Sequence, residues 1–222
     1  MTVATQYSYI LRNNSFYKAL NCSEFRVTSL IQCVSLAAES KDVSFFFNTN
    51  DKVCKWQCVF LYSFENLEES WRRFELEWKR NSALFQPSMA SSVYGSDPKK
   101  WGSSLATDGK IKGGVADTGF FSTSFENSPW IRVDLKDNLI IAFVRVFNRM
   151  YKLGERLHDV ALEVSRGEGY EQRGYFRGPG VTNQVVDILC DPPSLGRYVR
   201  LKIINGGNNI LQIDEMEIYT LF

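Results

Sequence analysis

Apolar and polar residues alternate in three short segments in the second half of the chain. In residues 131–135, 140–146 and 160–164, every second position is Ile, Val, Leu or Ala. Period-two alternation in short runs is typical of β-strands that bury one face in a core. Polar residues 136–138 and the longer segment 148–159 separate the runs. The pattern therefore predicts antiparallel strands joined by one tight break and one long loop.

The first part of the chain predicts a mixture of helix and strand. A Thr-Ser pair precedes residues 30–38, where apolar residues recur at helical spacing, so this stretch reads as a capped short helix. Residues 43–47 and 53–62 follow as apolar strands separated by a turn. Apolar and charged residues alternate over 74–78 as in a strand, although the aromatic residues there also fit a helical stripe.

Length and composition bound the protein class. A chain of 222 residues can form one large or two modest domains, each with its own core. The apolar fraction of 44% and charged fraction of 23% are typical of globular proteins. A net charge of +1 does not indicate a basic surface of the kind that binds nucleic acids or membranes. No apolar run approaches the roughly 20 residues of a transmembrane span, and the first residues lack the pattern of a signal peptide.

Four of the five cysteines lie in the first part of the chain, at Cys22, Cys33, Cys54 and Cys58, and Cys190 stands alone far downstream. One or two disulfides in a small extracellular module would explain the group. The spacing of Cys54 and Cys58 also occurs in zinc sites. Because there is no second cysteine pair at such spacing and no His nearby, disulfides and a secreted, extracellular location are favoured.

The arrangement of Cys33 on the predicted helix, the strand 43–48 and Cys54 on the next strand resembles the PAN/apple module. In that module a disulfide ties a helix to a small sheet. The resemblance implies a small α+β domain, which we place at residues 1–80, with a Cys33–Cys54 disulfide and a second one between Cys22 and Cys58.

Beyond residue 80 a different series of motifs begins. They are residues 81–92, 103–109, 129–130, 195–201 and 213–219. In this order they resemble the discoidin family, the coagulation factor V/VIII type C domains. The resemblance covers residues 81–222 and implies an eight-stranded jelly-roll β-sandwich whose loops at one end bind sugars, lipids or proteins. The alternating runs agree with such a mostly-β sandwich.

Residues 146–149, Val-Phe-Asn-Arg, followed by a Glu-Arg-Leu triplet, resemble the F-type, fucose-binding lectins of this family. There an Asn-Arg pair closes a strand and a second Arg follows seven residues later, which implies that Arg149 and Arg156 bind sugar. Guanidinium forks donate paired hydrogen bonds to adjacent oxygens. The alternative is that Arg156 pairs with Glu155 or Asp159 within the loop.

Two positions depart from the F-type pattern. Ser122 stands where the family has a sugar-binding His, and Tyr151 stands where it has an acidic residue. These differences imply a changed sugar or a lost site. Phe121, with Trp101 and Phe120, is either an exposed anchor for a sugar, lipid or protein, or part of the core; we include Phe121 and Ser122 among the candidate sugar-binding residues.

The same resemblance implies a calcium ion between an Asp-Gly turn and an acidic residue near the C-terminus. Asp108 and Glu215 match these positions. A hard cation takes several oxygen ligands, and the Gly-rich segment 108–118 could wrap one. Lys110 stands where the family prefers Asn and opposes a cation. The alternative is an Asp that only caps its own turn.

No catalytic constellation is found in the sequence. The sequence has a single histidine, His158, which leaves no residue for most catalytic triads and which we expect at the surface. Phosphate-loop, HExxH and nucleophile-elbow motifs are absent from the sequence. We therefore expect a non-enzymatic recognition protein that binds a carbohydrate or glycoprotein in cell adhesion or innate recognition. The alternative is a discoidin-fold module that has lost the sugar site and binds a protein or membrane surface. Homo-oligomerisation would add avidity to weak sugar binding.

Overall fold

The computed structural model describes residues 9–12, 17–62, 70–77, 80–112 and 119–221. The chain divides into two compact units, Met1–Glu77 and Trp78–Phe222. Within the described residues, no helix has the length and apolar character that a membrane crossing requires.

The first unit combines one helix with short antiparallel strands. A sheet has the strand order β1-β7-β4-β5-β3, and β2 pairs with β6. The elements are β1 Tyr9–Arg12, β2 Tyr17–Leu20, β3 Ser23–Arg26, α1 Leu30–Glu39, β4 Ser44–Asn48, β5 Val53–Trp56, β6 Val59–Tyr62 and β7 Trp71–Leu76.

Helix α1 is fixed to the sheet by burial and by a disulfide. Ser29 caps it, since its side-chain oxygen accepts a hydrogen bond from the Gln32 N–H. Cys33 and Ala37 lie on the buried face of α1 in one apolar cluster with Phe45. Disulfides join Cys33 to Cys54 and Cys22 to Cys58. The expectation of disulfides is confirmed.

The predicted helix and the strand after it match α1 and β4, but residues 53–62 form two strands instead of one. Gln57, between them, has a left-handed φ of 51°, which interrupts the extended backbone. Residues 71–76 form strand β7. The prediction of a strand from the alternating pattern is therefore confirmed, and the alternative of a helix is wrong. Trp78 lies outside the described residues.

The second unit is a β-sandwich. Its strands follow the order β12-β11-β13-β10-β14-β9, all antiparallel, and β8 pairs with β10. The elements are β8 Ser88–Ala90, α2 Pro98–Trp101, β9 Phe121–Ser122, β10 Trp130–Asn148, β11 Val160–Ser165, β12 Glu171–Phe176, β13 Gln184–Ile203, β14 Gln212–Leu221 and three 3-10 helices, Tyr94–Ser96, Ser103–Ala106 and Gly154–Arg156.

One core fills the sandwich. Alternate residues of the first half of β10, including Ile131 and Val133, meet Val144 and Val146 from its second half in the same apolar cluster. The two halves of β10 thus cover one core, as in a sandwich whose long strands cross from one layer to the other. Leu162 and the other inward residues of β11 and β13 complete the cluster.

Residues 136–138 do not separate two strands, as the sequence predicted, but lie inside β10. Lys136 has a left-handed φ of 70°, and its N–H donates to the Asp134 side chain. The pairing of β10 with β13 shifts register between Asp134 and Leu139. Polar residues at this point therefore mark an irregularity that redirects the strand, since a bulge bends a strand without ending it.

Replacing Leu201 by Ala tests the position of the core. Leu201 is fully buried in β13, whereas Leu195 in the same strand is 41% exposed. Leu201→Ala should reduce the free energy of unfolding by about 2–5 kcal/mol because it leaves a cavity. Leu195→Ala should change it by about 0.5 kcal/mol or less. Chemical denaturation of the two variants and the wild type measures both; equal losses would contradict the assignment of the core.

Candidate functional site

Asn148, the last residue of β10, fixes the shape of the loop that follows. Its amide Nδ2 donates to the carbonyl oxygens of Gly154 and Val181, each at 2.9 Å, and its Oδ1 accepts from the N–H of Arg149 at 2.8 Å. The side chain is almost completely buried. All three bonds join the Asn148 side chain to backbone atoms. Asn148 can therefore hold the loop backbone whatever side chains the loop carries.

The loop approaches the segment around Thr182 too closely for a side chain at position 154. A Cβ on Gly154 would lie 2.1 Å from the Thr182 nitrogen. The Gly154 N–H instead donates to Thr182 Oγ1. Lys152 and Leu153 adopt left-handed conformations just before this contact, which turns the chain back and places Arg156 beside Arg149.

The two arginines converge on one carboxamide. Nη1 of Arg149 and Nη1 of Arg156 donate to Oε1 of Gln212, at 2.8 and 3.0 Å. Gln212 is buried in β14, opposite Ser122 of β9, and its Nε2 donates to Ser122 Oγ at 3.0 Å. The Ser122 hydroxyl donates in turn to the carbonyl oxygen of Thr123. Ser122 therefore supports the arginine pair through Gln212, and its own side chain is fully buried.

Sequence reasoning did not find Gln212. It is a single polar residue in the run Ile-Leu-Gln-Ile that opens β14, where Leu211 and Ile213 are core residues. A buried polar side chain requires hydrogen-bond partners. The one available signal was this interruption of an apolar run, but the sequence does not say which groups meet it.

Aromatic rings back both guanidiniums. The Arg149 guanidinium carbon lies 4.9 Å from the centre of the Phe120 ring, and that of Arg156 lies 5.4 Å from the centre of the Phe125 ring. The Phe125 side chain is 50% exposed. Trp101 packs edge-on against Phe120. A ring at this distance attracts a guanidinium and restrains it without using its N–H groups.

Phe121 does not line this face. Its side chain is fully buried and packs in the sandwich core, which is the core-packing alternative drawn from the sequence. Its neighbour Phe120 is only partly buried and lies under Arg149. Tyr151, in the loop between the two arginines, is exposed.

In the described part of the chain, neither Arg149 nor Arg156 forms an ion pair with a carboxylate. Asp159 instead contacts His158 Nδ1 and accepts a hydrogen bond from the Tyr175 hydroxyl, and Glu155 is exposed. Burial, and then the neighbouring positive charge of Arg156, lower the pKa of Arg149. The Nε of Arg149 is buried and has no hydrogen-bond partner among the described residues.

The family model of the F5/8 type C domain matches residues 88–216, more than half of the chain. The chain belongs to the F5/8 type C domain family. This confirms the discoidin resemblance and the mostly-β sandwich. No curated protein shows significant similarity to the chain.

Three solved structures resemble this F5/8 type C protein at low identity. The lectin domain of lectinolysin, complexed with Lewis B antigen, has a TM-score of 0.56 and 19% identity, over 66% of this chain and 100% of that one. A Streptococcus pneumoniae fucose binding module has a TM-score of 0.55 and 21% identity, over 70% and 100%. An f-lectin from striped bass (Morone saxatilis) serum has a TM-score of 0.56 and 15% identity, over 96% and 79%. Identities this low establish likeness of fold.

Asp108 and Glu215, the residues expected to hold calcium, do lie in one region of the F5/8 type C unit, but a lysine shares it. Lys112 Nζ is 3.0 Å from Asp108 Oδ2 and donates to the carbonyl oxygen of Leu105 at 3.3 Å. The Lys112 side chain is 9% exposed. A carboxylate and a carbonyl are the ligands that a hard cation takes. Here both contact an ammonium group of the chain itself.

The neighbouring acids are also engaged. Glu215 Oε1 accepts from the Gly109 N–H, and Asp214 Oδ2 accepts from the Lys112 N–H. Burial raises the pKa of Glu215 to about 8 and that of Asp214 to about 6. Oε2 of Glu215 is buried without a partner among the described residues.

A lysine competes with calcium for the ligands in the described part of this region. The described residues contain no group of three or more His, Cys, Asp or Glu side chains able to hold a metal, and Lys112 meets the oxygens that calcium would need. Residues 113–118, the rest of the Gly-rich segment, lie outside the described ranges. Calcium at Asp108 and Glu215 stays a prediction.

Removing the Lys112 charge tests whether the cation beside Asp108 is the lysine ammonium or a calcium ion. If the ammonium is the cation of this region, calcium and chelator should leave the wild-type melting temperature unchanged. Lys112→Met should lower stability by roughly 1–3 kcal/mol, because a partly buried carboxylate loses its partner. Lys110→Met, which alters an exposed lysine two residues away, is the control and should have little effect. Thermal unfolding with and without calcium decides; stabilisation of the wild type by calcium would refute the interpretation.

Proposed function

We propose that the second unit is a non-enzymatic, lectin-like module that binds a carbohydrate through Arg149 and Arg156. The observation that carries the proposal is the convergence of both guanidiniums on Gln212 without a carboxylate partner in the described part of the chain. If the two arginines formed ion pairs within the protein, their role would be to stabilise the loop and not to bind a ligand. Instead, each has N–H groups beyond the one that Gln212 accepts, since a guanidinium carries five.

The surroundings suit a sugar. Adjacent hydroxyl oxygens on a pyranose ring can accept paired hydrogen bonds from a guanidinium fork. The half-exposed residue Phe125 offers an apolar surface for the C–H groups of the pyranose ring. Three proteins that share the fold are described as a lectin domain in complex with Lewis B antigen, a fucose binding module and a fucolectin, which supports a sugar as the ligand.

We propose further that the first unit is a PAN/apple-like domain and the second an eight-stranded jelly roll. In support of the former, the Cys33–Cys54 disulfide ties helix α1 to strand β5, as the resemblance implies. The two disulfides favour a secreted, extracellular protein, because such bonds persist in oxidising compartments. Cell adhesion or innate recognition, with avidity from homo-oligomerisation, fits a weak sugar binder in that setting.

A second candidate is a protein- or membrane-binding module on the same loop. Tyr151 and Leu153 are 52% and 38% exposed between the two arginines, so they could contact an apolar surface. Under this alternative, binding would depend on Tyr151 and Leu153 and would not require a glycan.

A glycan array on the full chain tests the lectin proposal. The wild type should bind a defined group of glycans, and Arg149→Ala and Arg156→Ala should each reduce the affinity roughly 10- to 100-fold, as expected for hydrogen bonds from a charged donor. Arg166→Ala is the matched control, because Arg166 follows the far end of β11 and donates to the Leu195 carbonyl oxygen. Binding unaffected in Arg149→Ala, or no binding to any glycan, would contradict the proposal.

A further inference from the structure

We infer that the glycan bound by Arg149 and Arg156 carries an anionic oxygen group, either a sulfate ester or a carboxylate. This inference rests on the proposed lectin function and names the chemistry of its ligand. It follows from the hydrogen-bonding capacity and charge of the groups around the two arginines.

The acceptors beneath the arginines are already used. Oε1 of Gln212 accepts from both guanidiniums, and its Nε2 donates to Ser122. The Ser122 hydroxyl donates to the Thr123 carbonyl oxygen. The polar floor of the site is therefore satisfied internally, and what the arginines present to a ligand is N–H donors.

A neutral hydroxyl can accept from these donors, but it gains less than an anion, because a hydrogen bond between two charged groups is roughly twice as strong as one between neutral groups. Each sugar hydroxyl has a proton to donate as well as lone pairs, and a polar group that loses water without gaining a partner costs free energy. A sulfate or carboxylate has only acceptor oxygens, and its planar or tripodal oxygens suit two guanidinium forks. The donors and their positive charge thus favour a ligand group that accepts several hydrogen bonds and carries negative charge.

Charge points the same way. The loop 149–157 carries three cations, Arg149, Lys152 and Arg156, and one acid, Glu155. Glu155 is exposed, and its charge acts on Arg149 without forming an ion pair in the described structure. The two guanidiniums meet at one neutral oxygen. An anionic group placed between them would relieve their mutual repulsion in a partly buried setting, where screening by water is weak.

The rings below the guanidiniums fix the direction of approach. Phe120 and Phe125 each lie within cation–π distance of one guanidinium. A ligand anion consequently meets the N–H edges, where hydrogen bonds are directional. The part of the glycan next to the anion can then lie over the exposed portion of Phe125.

Paired glycans with and without an anionic sulfate or sialic acid provide the test. Titration calorimetry on the full chain would compare galactose with 3-O-sulfogalactose, lactose with sialyllactose, and a neutral fucosylated trisaccharide, at low and high salt. We expect the charged member of at least one pair to bind about 10-fold tighter or more, equivalent to about 1.4 kcal/mol. The preference should shrink at high salt and disappear in Arg149→Ala and Arg156→Ala, but persist in Arg166→Ala. The sulfated and sialylated arms distinguish the two sources of the anion.

Each remaining outcome counts against a definite statement. If neutral glycans bind through Arg149 as well as or better than their charged partners, the lectin function stands and the anionic preference is wrong. If both arginine variants still prefer the anionic glycan, the preference belongs to another surface of the protein and the inference is overturned. If neither neutral nor charged glycans bind, the proposed function itself fails, and the inference fails with it.

Discussion

The carboxamide of Gln212 holds the candidate site together. It is the only described group that accepts from both Arg149 and Arg156, and through Ser122 it ties the pair to strand β9. A neutral side chain at this place can orient two guanidiniums without cancelling their charge. The backbone bonds of Asn148 bring the arginines close, and the Gln212 oxygen sets their orientation.

Elsewhere in the same unit, several cations pair with carboxylates. Arg145 forms a bidentate bond with Asp187, and Arg197 forms one with Asp134. The Lys112 ammonium meets Asp108. Arg149 and Arg156 differ from these cations, since they are partly buried and share one neutral oxygen.

The alternating pattern predicted β10 and β11 because these strands bury one face, and the rest of the sandwich followed from the discoidin resemblance. The resemblance to the F-type lectins implied the arginine pair, since Arg149 and Arg156 keep the spacing of that family. Gln212 could not be predicted as a partner, since a partner in space leaves no mark in local spacing. Phe121 is buried and Phe125 is exposed because of the path that their short segment takes beside the core. The alternation of apolar and polar residues does not determine that path. The proximity of Lys112 to Asp108 depends on a turn, where a side chain's direction follows from backbone angles that composition does not specify.

The most direct test of this account is the variant Gln212→Glu, measured for both stability and glycan binding. A carboxylate in place of the carboxamide should form ion pairs with Arg149 and Arg156, and the Ser122 hydroxyl can rotate to donate to it. We predict that the variant melts at or above the wild-type temperature and binds glycans at least about 10-fold more weakly, because the arginines' charge is then cancelled from within. Wild-type glycan affinity in a folded Gln212→Glu protein would contradict the claim that these two guanidiniums form the ligand site.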